Sequence, residues 1–323
     1  MSAKSCSAII ICLILIVLLN TIPAPAGGVR ESTTFTPPHS SASTTVTVGL
    51  YIIGFGNFDV NRGTYTFDFY MWLRWNDSSG IDPLKFEFMN GRATTKEKLS
   101  DETDNVTEMR TVWYRIQAVL FSEPKFDDYP FDKQTLTIIL EDTALNSSRL
   151  VYVSEKTESG FDPSVKVSGW NIEGWDFSAS EKGYPWGENY SRLIFNIKIG
   201  RERTTTAIKT FLPPIIFCIV SGLSFFFRPD KITNRIGFGT SMLISAVMFH
   251  ISQTASLPPM PSLMMIDKIM IATYSFLAAS LIVTTIIYID EEFIKDKDYT
   301  KLTNRCGALI SIILPFVVYA VLA

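Results

Sequence analysis

The chain has 323 residues, 47% of them hydrophobic, and a formal net charge of −3; it is long enough for two domains and more apolar than an ordinary soluble protein. No basic patch points to nucleic acid. Two histidines (His39, His250) and four cysteines (Cys6, Cys12, Cys218, Cys306), none of the cysteines between 13 and 217, leave little for a zinc or histidine-based catalytic centre and no disulfide framework for the middle of the chain.

The N-terminus reads as a secretory signal peptide over 1–26. Lys4 supplies the positive start, 8–19 is an apolar core, and Ala24-Pro25-Ala26 fits the small-x-small cleavage pattern. An uncleaved anchor is the other reading, but the core is short of the ~20 residues a span needs. Either way, the domain after it is exported. Residues 27–45, rich in Ser, Thr, Pro and Gly, read as a flexible leader.

From 46 to 204 the pattern is β. Strand-like runs fall at 46–55, 64–75, 111–121, 134–140, 150–153, 166–172 and 191–199, with turn signals between the first two. Their spacing and the lack of any long helical pattern predict an immunoglobulin-like β-sandwich. Four Asn-x-Ser/Thr sequons, at Asn76, Asn105, Asn146 and Asn189, suit exported surface loops. Residues 27–205 carry a charge of about −6, a mildly acidic domain.

The region 205–323 changes character. Apolar spans at 207–227, 232–256, 263–288 and 306–323 are each long enough to cross a bilayer as a helix. An exported N-terminus and four spans return the C-terminus to the outside. Arg228, Lys231, Lys295, Lys297, Lys301 and Arg305 then lie in cytoplasmic loops, while 257–262 holds no Lys or Arg. This agrees with the positive-inside rule. The expected fold class is α+β: an extracellular sandwich on a four-helix transmembrane bundle, in a multi-pass protein of the cell membrane.

The second span is the least apolar. Gly237, Ser241, Ile244, Met248, Ile251 or Ser252, and Ala255 recur at three- and four-residue steps and share one face. Several copies around an axis would line a water path, with a hydroxyl ring at Ser241 and apolar rings above it that close by dewetting. The small residues suit a helix-packing face equally well, and the pattern alone does not choose. Arg235, at the cytoplasmic start, reads as a snorkelling end charge. His250 lies off the stripe and reads as a partner of neighbouring helices or water.

Phe126-Asp127-Asp128-Tyr129-Pro130-Phe131-Asp132-Lys133-Gln134-Thr135-Leu136 resembles the signature loop of the Cys-loop receptors, the pentameric ligand-gated ion channels. Leu136 replaces the closing Cys and Ser122 stands where its partner would be, as in prokaryotic-type members. Gly49-Leu50-Tyr51-Ile52-Ile53, Trp75-Asn76-Asp77, Ser168-Gly169-Trp170-Asn171-Ile172, Ile199-Gly200-Arg201 with Pro213, Arg235-Ile236-Gly237-Phe238-Gly239, and Leu257-Pro258 with Pro261 resemble further family segments in the family's order.

The resemblance implies a homopentamer whose ligand sits between adjacent sandwiches. It implies a coupling link of Asp132 and Arg201, with Asp59 able to join, pressing on a stiff loop at Pro258 and Pro261. It implies a capping hairpin over 180–190 carrying Tyr184, Trp186 and Tyr190, with Glu141 and Asp142 on the same face. Tyr70, Trp72, Trp113 and Arg115 come from the neighbouring subunit. Aromatics with carboxylates suit a cationic amine; Glu141 and Asp142 alone suit a divalent metal cation; a proton is the third candidate agonist. Thr233 opens the pore-lining set, and Thr233 and Asn234 stand where cation-selective members place a glutamate. Arg235–Gly239 looks like the anion-passing glycine receptors. The Pro-Ala insertion of anion channels is absent, however, and the acidic outer domain favours cations, so monovalent cations are the expected permeant ions. No His-Glu-x-x-His, Gly-x-Ser-x-Gly or phosphate loop suggests an enzyme, and no cofactor is expected. A non-conducting membrane-anchored binding protein is the reading from a different class.

Overall fold

The computed structural model describes residues 43–228, 231–294 and 297–322. The expected signal peptide and most of the leader lie outside the described residues. The first sheet holds β1 (Thr44–Asp59), β2 (Thr64–Asn76), β4 (Gly91–Asp104), β5 (Met109–Phe121), β7 (Leu150–Ser154) and the short β8 (Gly160–Phe161). Its order is β4-β5-β2-β1-β7, with β8 also on β1. The second holds β3 (Phe86–Phe88), β6 (Lys133–Asp142), β9 (Trp170–Gly183) and β10 (Asn189–Arg201), in the order β3-β6-β10-β9.

Alternation explains why the sheets face each other. In β2 the odd positions Tyr65, Phe67, Phe69, Met71, Leu73 and Trp75 are all buried, because successive side chains of a strand point to opposite faces. They share one core with Leu136, Ile138 and Leu140 of β6 and with Leu193, Phe195, Ile197 and Ile199 of β10. Each such side chain contributes about 1.5–3 kcal/mol by leaving water.

Three boundaries differ from the expected ones. Thr44 and Thr45, placed in the leader, pair in parallel with Leu150 and Val151. No strand covers 166–172. The amide of Trp170 donates to Val167 O at 3.0 Å, closing a turn in which Gly169 holds φ +81°, a backbone that favours glycine, and β9 starts only at Trp170. The strand β4 escaped the sequence reading because it has no apolar alternation: GRATTKEKLSDETD is exposed or half-exposed throughout. It is an edge strand whose charges discourage pairing with another chain.

Four helices complete the chain: α1 (Arg203–Gly222), α2 (Ile232–Thr254), α3 (Met265–Ile289) and α4 (Lys297–Leu322). All four are long and apolar enough to cross a membrane. Half of the apolar window of α3 is buried in the bundle against 11% for α2, so α3 is the packing centre and α2 keeps an open face. The expected cytoplasmic loop at 290–305 is corrected. A π-helical turn at Asp290–Ile294 extends α3, and α4 begins at Lys297 rather than 306. Hydropathy marks the part of a helix that can sit in hydrocarbon; it is silent about polar turns that continue beyond it. Here the buried Asp290 carboxylate accepts from the Thr300 hydroxyl and ties the two helices together.

Candidate functional site

The eight residues expected to line the pore, namely Thr233, Gly237, Ser241, Ile244, Met248, Ile251, Ser252 and, just past the end of α2, Ala255, are all exposed. Ile244, Met248 and Ile251 are 66%, 61% and 55% exposed. The opposite face buries Arg235, Gly239 and Ala246. The polar side chains beside the stripe stay within their own helix: Thr240 Oγ1 donates to Ile236 O at 2.8 Å and Ser245 Oγ to Ser241 O at 2.9 Å.

Arg235 does not snorkel. It is 1% exposed. Its Nε donates to Ser224 O at 2.8 Å and a terminal nitrogen to Asn304 Oδ1 of α4, while Asn304 Nδ2 donates to Phe225 O at 3.1 Å. A guanidinium presents a planar fork of donors, and here the fork meets carbonyls of the 3-10 turn Leu223–Phe226 that follows α1. His250 is bonded at both ring nitrogens to α3, to Tyr274 Oη at 3.0 Å and to Asp267 Oδ1 at 2.8 Å.

Between sandwich and bundle, Arg201 Nε donates to Asp132 Oδ1 at 2.6 Å, with Asp132 1% exposed. Gln134 Nε2 donates to the other carboxylate oxygen at 2.7 Å. The guanidinium lies 4.5 Å from the Trp170 ring and 5.2 Å from that of Tyr129, so aromatic rings flank an arginine that keeps 22% of its side chain exposed. Asp59 takes no part in it: its carboxylate accepts from the amides of Asn61 and Arg62 and pairs with the Arg62 side chain. Pro258 is half-buried and Pro261 exposed; in that loop it is Leu257 and Met260 that pack against the bundle cluster. The sandwich touches the membrane helices through residues of the signature segment to which the sequence assigned no individual role. Phe126 is fully buried in the same cluster as Ile266 and Met270 of α3. The carbonyls of Asp127 and Tyr129 accept the amides of Met265 and Ile266 at 3.1 and 3.0 Å, which α3 cannot satisfy in its first turn.

The hairpin joining β9 and β10 carries the aromatic group. Tyr184 stacks on Trp186 at 4.4 Å and meets Tyr190 edge-on at 5.7 Å; Trp186 is 64% exposed. Tyr184 Oη donates to Glu141 Oε2 at 2.7 Å, and the other oxygen of Glu141 is held by Arg192 Nε. Burial, then the Glu141 bond, raises the Tyr184 phenol above its usual value. Arg192 was missed because nothing in a linear sequence pairs it with Glu141; the β6–β10 register sets them opposite.

Three of the expected ligand contacts are corrected. Glu141 and Asp142, adjacent in β6, point to opposite faces of the sheet and so cannot chelate one metal ion. Asp142 lies inside, with Oδ1 accepting the amides of Ala144 and Leu145 at 2.8 Å each, and burial raises its carboxyl. Trp72 is 2% exposed, stacked on Trp113 at 4.5 Å and seated where a Cβ on Gly49 would lie 1.9 Å from its ring. It is sealed by its own subunit, and no ligand can touch it. Of the other residues on that sheet, Tyr70 and Trp113 are half-exposed and Arg115 is exposed, with its guanidinium on Asp68 at 2.8 and 3.2 Å.

No family profile matches the chain. It is 23% identical over 272 residues to a proton-gated ion channel of Gloeobacter violaceus, covering 77% of this chain and 74% of that one. It is 28% identical over 174 residues to the pH-sensitive chloride channel 2 of Drosophila melanogaster (51% and 32%). A bovine gamma-aminobutyric acid receptor subunit alpha-3 is 24% identical over 281 residues (76% and 55%). All are Cys-loop ligand-gated channels, not enzymes. Along most of its length the chain is similar to pentameric ligand-gated ion channels. The chain spans about half or less of the two animal relatives' lengths. It is a multi-pass membrane protein with its strand-rich domain outside. The 122–136 loop carries no cysteine and is held by hydrogen bonds, the Asp132–Arg201 pair and the burial of Phe126.

Proposed function

We propose that the chain forms a homopentameric channel in which an agonist, bound between adjacent sandwiches, opens a pore lined by α2 and passing monovalent cations. The observation that carries this reading is the open face of α2. Three large apolar side chains, each more than half exposed, stand above exposed Ser241 and Gly237 on a helix whose other face is packed. Five copies would put a hydroxyl ring beneath apolar rings that exclude water when narrow.

Cation passage is favoured by the orientation of Arg235. The basic residue at the cytoplasmic mouth is turned into the bundle, and the face it leaves carries only neutral residues. The outer domain, at about −6, concentrates cations at the entrance. A chloride-passing channel is the second reading, favoured by the likeness to the insect channel. Among the agonists, protons come first, since two of the three relatives named above respond to pH. The Tyr184, Trp186 and Tyr190 cluster also suits an amine, although its nearest carboxylate, Glu141, is already paired with Arg192. In the working channel the Asp132–Arg201 pair would carry sandwich movement into α1, and the loop with Pro258 and Pro261 into α2.

The test is cysteine substitution along α2 after replacing Cys218 and Cys306, with a charged thiol reagent applied during acid-evoked current. Modification is expected at 237, 241, 244, 248 and 252 and not at 239 or 246. Protection of the whole first set in every state would exclude this pore. Reversal potentials in a NaCl gradient should follow sodium; a shift toward chloride would select the second reading.

A further inference from the structure

The neck of the 122–136 loop is tied by a buried hydrogen-bond knot that spans both sheets. Tyr65, on β2, is 0% exposed. Its hydroxyl lies 2.6 Å from Ser122 Oγ, donates to Thr137 O at 2.7 Å and accepts the Thr137 amide at 2.7 Å. Asn90 stands where the chain crosses from β3 to β4. Its Nδ2 donates to Phe121 O at 2.8 Å and to Thr137 O at 2.7 Å, and its Oδ1 accepts the Ile139 amide at 3.0 Å. Asn90 thus ties the last residue before the loop, and Tyr65 the first residue within it, to the strand that follows. On the near side the Ser122 amide donates to Gly63 O at 2.9 Å; a Cβ on Gly63 would lie 2.1 Å from Ser122 O, so only glycine lets the neck sit this low.

The edge of β6 explains why these groups are needed. β3 pairs only with Leu140–Asp142; just past it the Met89 amide donates to Ile139 O at 2.9 Å, which leaves the Ile139 amide and both backbone groups of Thr137 without a backbone partner on that side, and buried backbone groups must find partners. Tyr65 of the first sheet and Asn90 of the connection between the sheets supply them. The loop beyond the neck is the one that seats Phe126 in the membrane bundle and offers the Asp127 and Tyr129 carbonyls to α3.

We propose that Tyr65, Asn90 and Ser122 are positioning residues for gating: a non-covalent lock that makes the 122–136 loop move with both sheets as one body. This rests on the proposed role of that loop in coupling. Buried networks of this kind lose most when one member is removed, because the others are left unsatisfied.

Hydrogen–deuterium exchange of the full-length protein tests it, with Tyr65→Phe and Asn90→Ala as variants and Tyr152→Phe as control. Tyr152 is also buried, but its hydroxyl has no partner. Exchange over 122–139 should rise about tenfold in Tyr65→Phe and in Asn90→Ala, with β9, β10 and the helices unchanged and the control like the parent. Equal acceleration across the whole sandwich, or none, would overturn the lock. Acid-evoked current separates the two readings. A loosened loop with an unaltered acid response removes the lock from gating. A loosened loop in a parent chain that passes no acid-evoked current leaves the lock standing and removes the proton as agonist.

Discussion

Asp142 shows how little a residue type says about its use. The sequence offers a carboxylate at the edge of an acidic turn, whereas the fold places it inside, 3% exposed, with Oδ2 unpartnered. Burial raises its carboxyl against the lowering effect of the Ala144 and Leu145 amides. The folded state therefore binds this proton more tightly than the unfolded chain. The stability contributed is complete below the unfolded pKa and is lost as pH rises through the raised folded value. Asp142→Asn, which keeps the amide acceptor and removes the charge, should raise the thermal midpoint at neutral pH. It should leave the midpoint unchanged in acid, where the parent is already neutral. A gain that is the same at both would mean that the charge is not the cause.

The helices meet through glycines that composition cannot distinguish. A Cβ on Gly307 of α4 would lie 2.3 Å from Val283 Cγ1, and one on Gly239 of α2 would lie 2.5 Å from Leu281 Cδ2. Valine is branched at Cβ and has little rotamer freedom in a helix, while the clash on Leu281 is with the far end of a more flexible side chain. Gly307→Ala should therefore cost about 1–3 kcal/mol and Gly239→Ala less, read as thermal midpoints of the purified assembly. Element ends carry the same lesson. The Arg235 and Asn304 side chains join α2 and α4 to carbonyls of the turn that follows α1, a contact between stretches far apart in sequence.

At the scale of the whole molecule, a buried phenylalanine and two carbonyls join the sandwich to the bundle, and an ion pair ties the end of β10, next to α1, to the loop that carries them. Arg201→Ala leaves the 1%-exposed Asp132 with Gln134 but no counter-charge. Removing one partner of such a pair costs about 3–5 kcal/mol. The variant is expected to reach the surface, since the sandwich core is untouched, while its agonist-evoked current is abolished; normal gating would remove the coupling role. At the other end of the path, Ile244→Ser replaces the most exposed apolar side chain of the α2 face with a hydroxyl. A narrow apolar ring excludes water and a polar one admits it, so this variant should leak at rest or open at lower agonist concentration. An unaltered response would move the gate away from Ile244.

The chain alone determined what depends on local pattern. Period-two alternation marked most strands, hydropathy marked four spans, loop charge set their orientation, and the step of three and four in the second span drew the exposed face that α2 presents. The polar strand β4 and the polar turns of α4 lack such a pattern and went unread. What only the tertiary structure decided are relations between distant residues: that Glu141 and Asp142 face opposite ways, that Trp72 is sealed by Trp113, that Arg192 neutralises Glu141, that Arg235 turns inward, and that Tyr65 holds the neck of a loop more than fifty residues away in sequence. Local pattern follows from the periodicity of one backbone segment, whereas partners and burial follow from the register and packing of segments that the sequence does not place side by side.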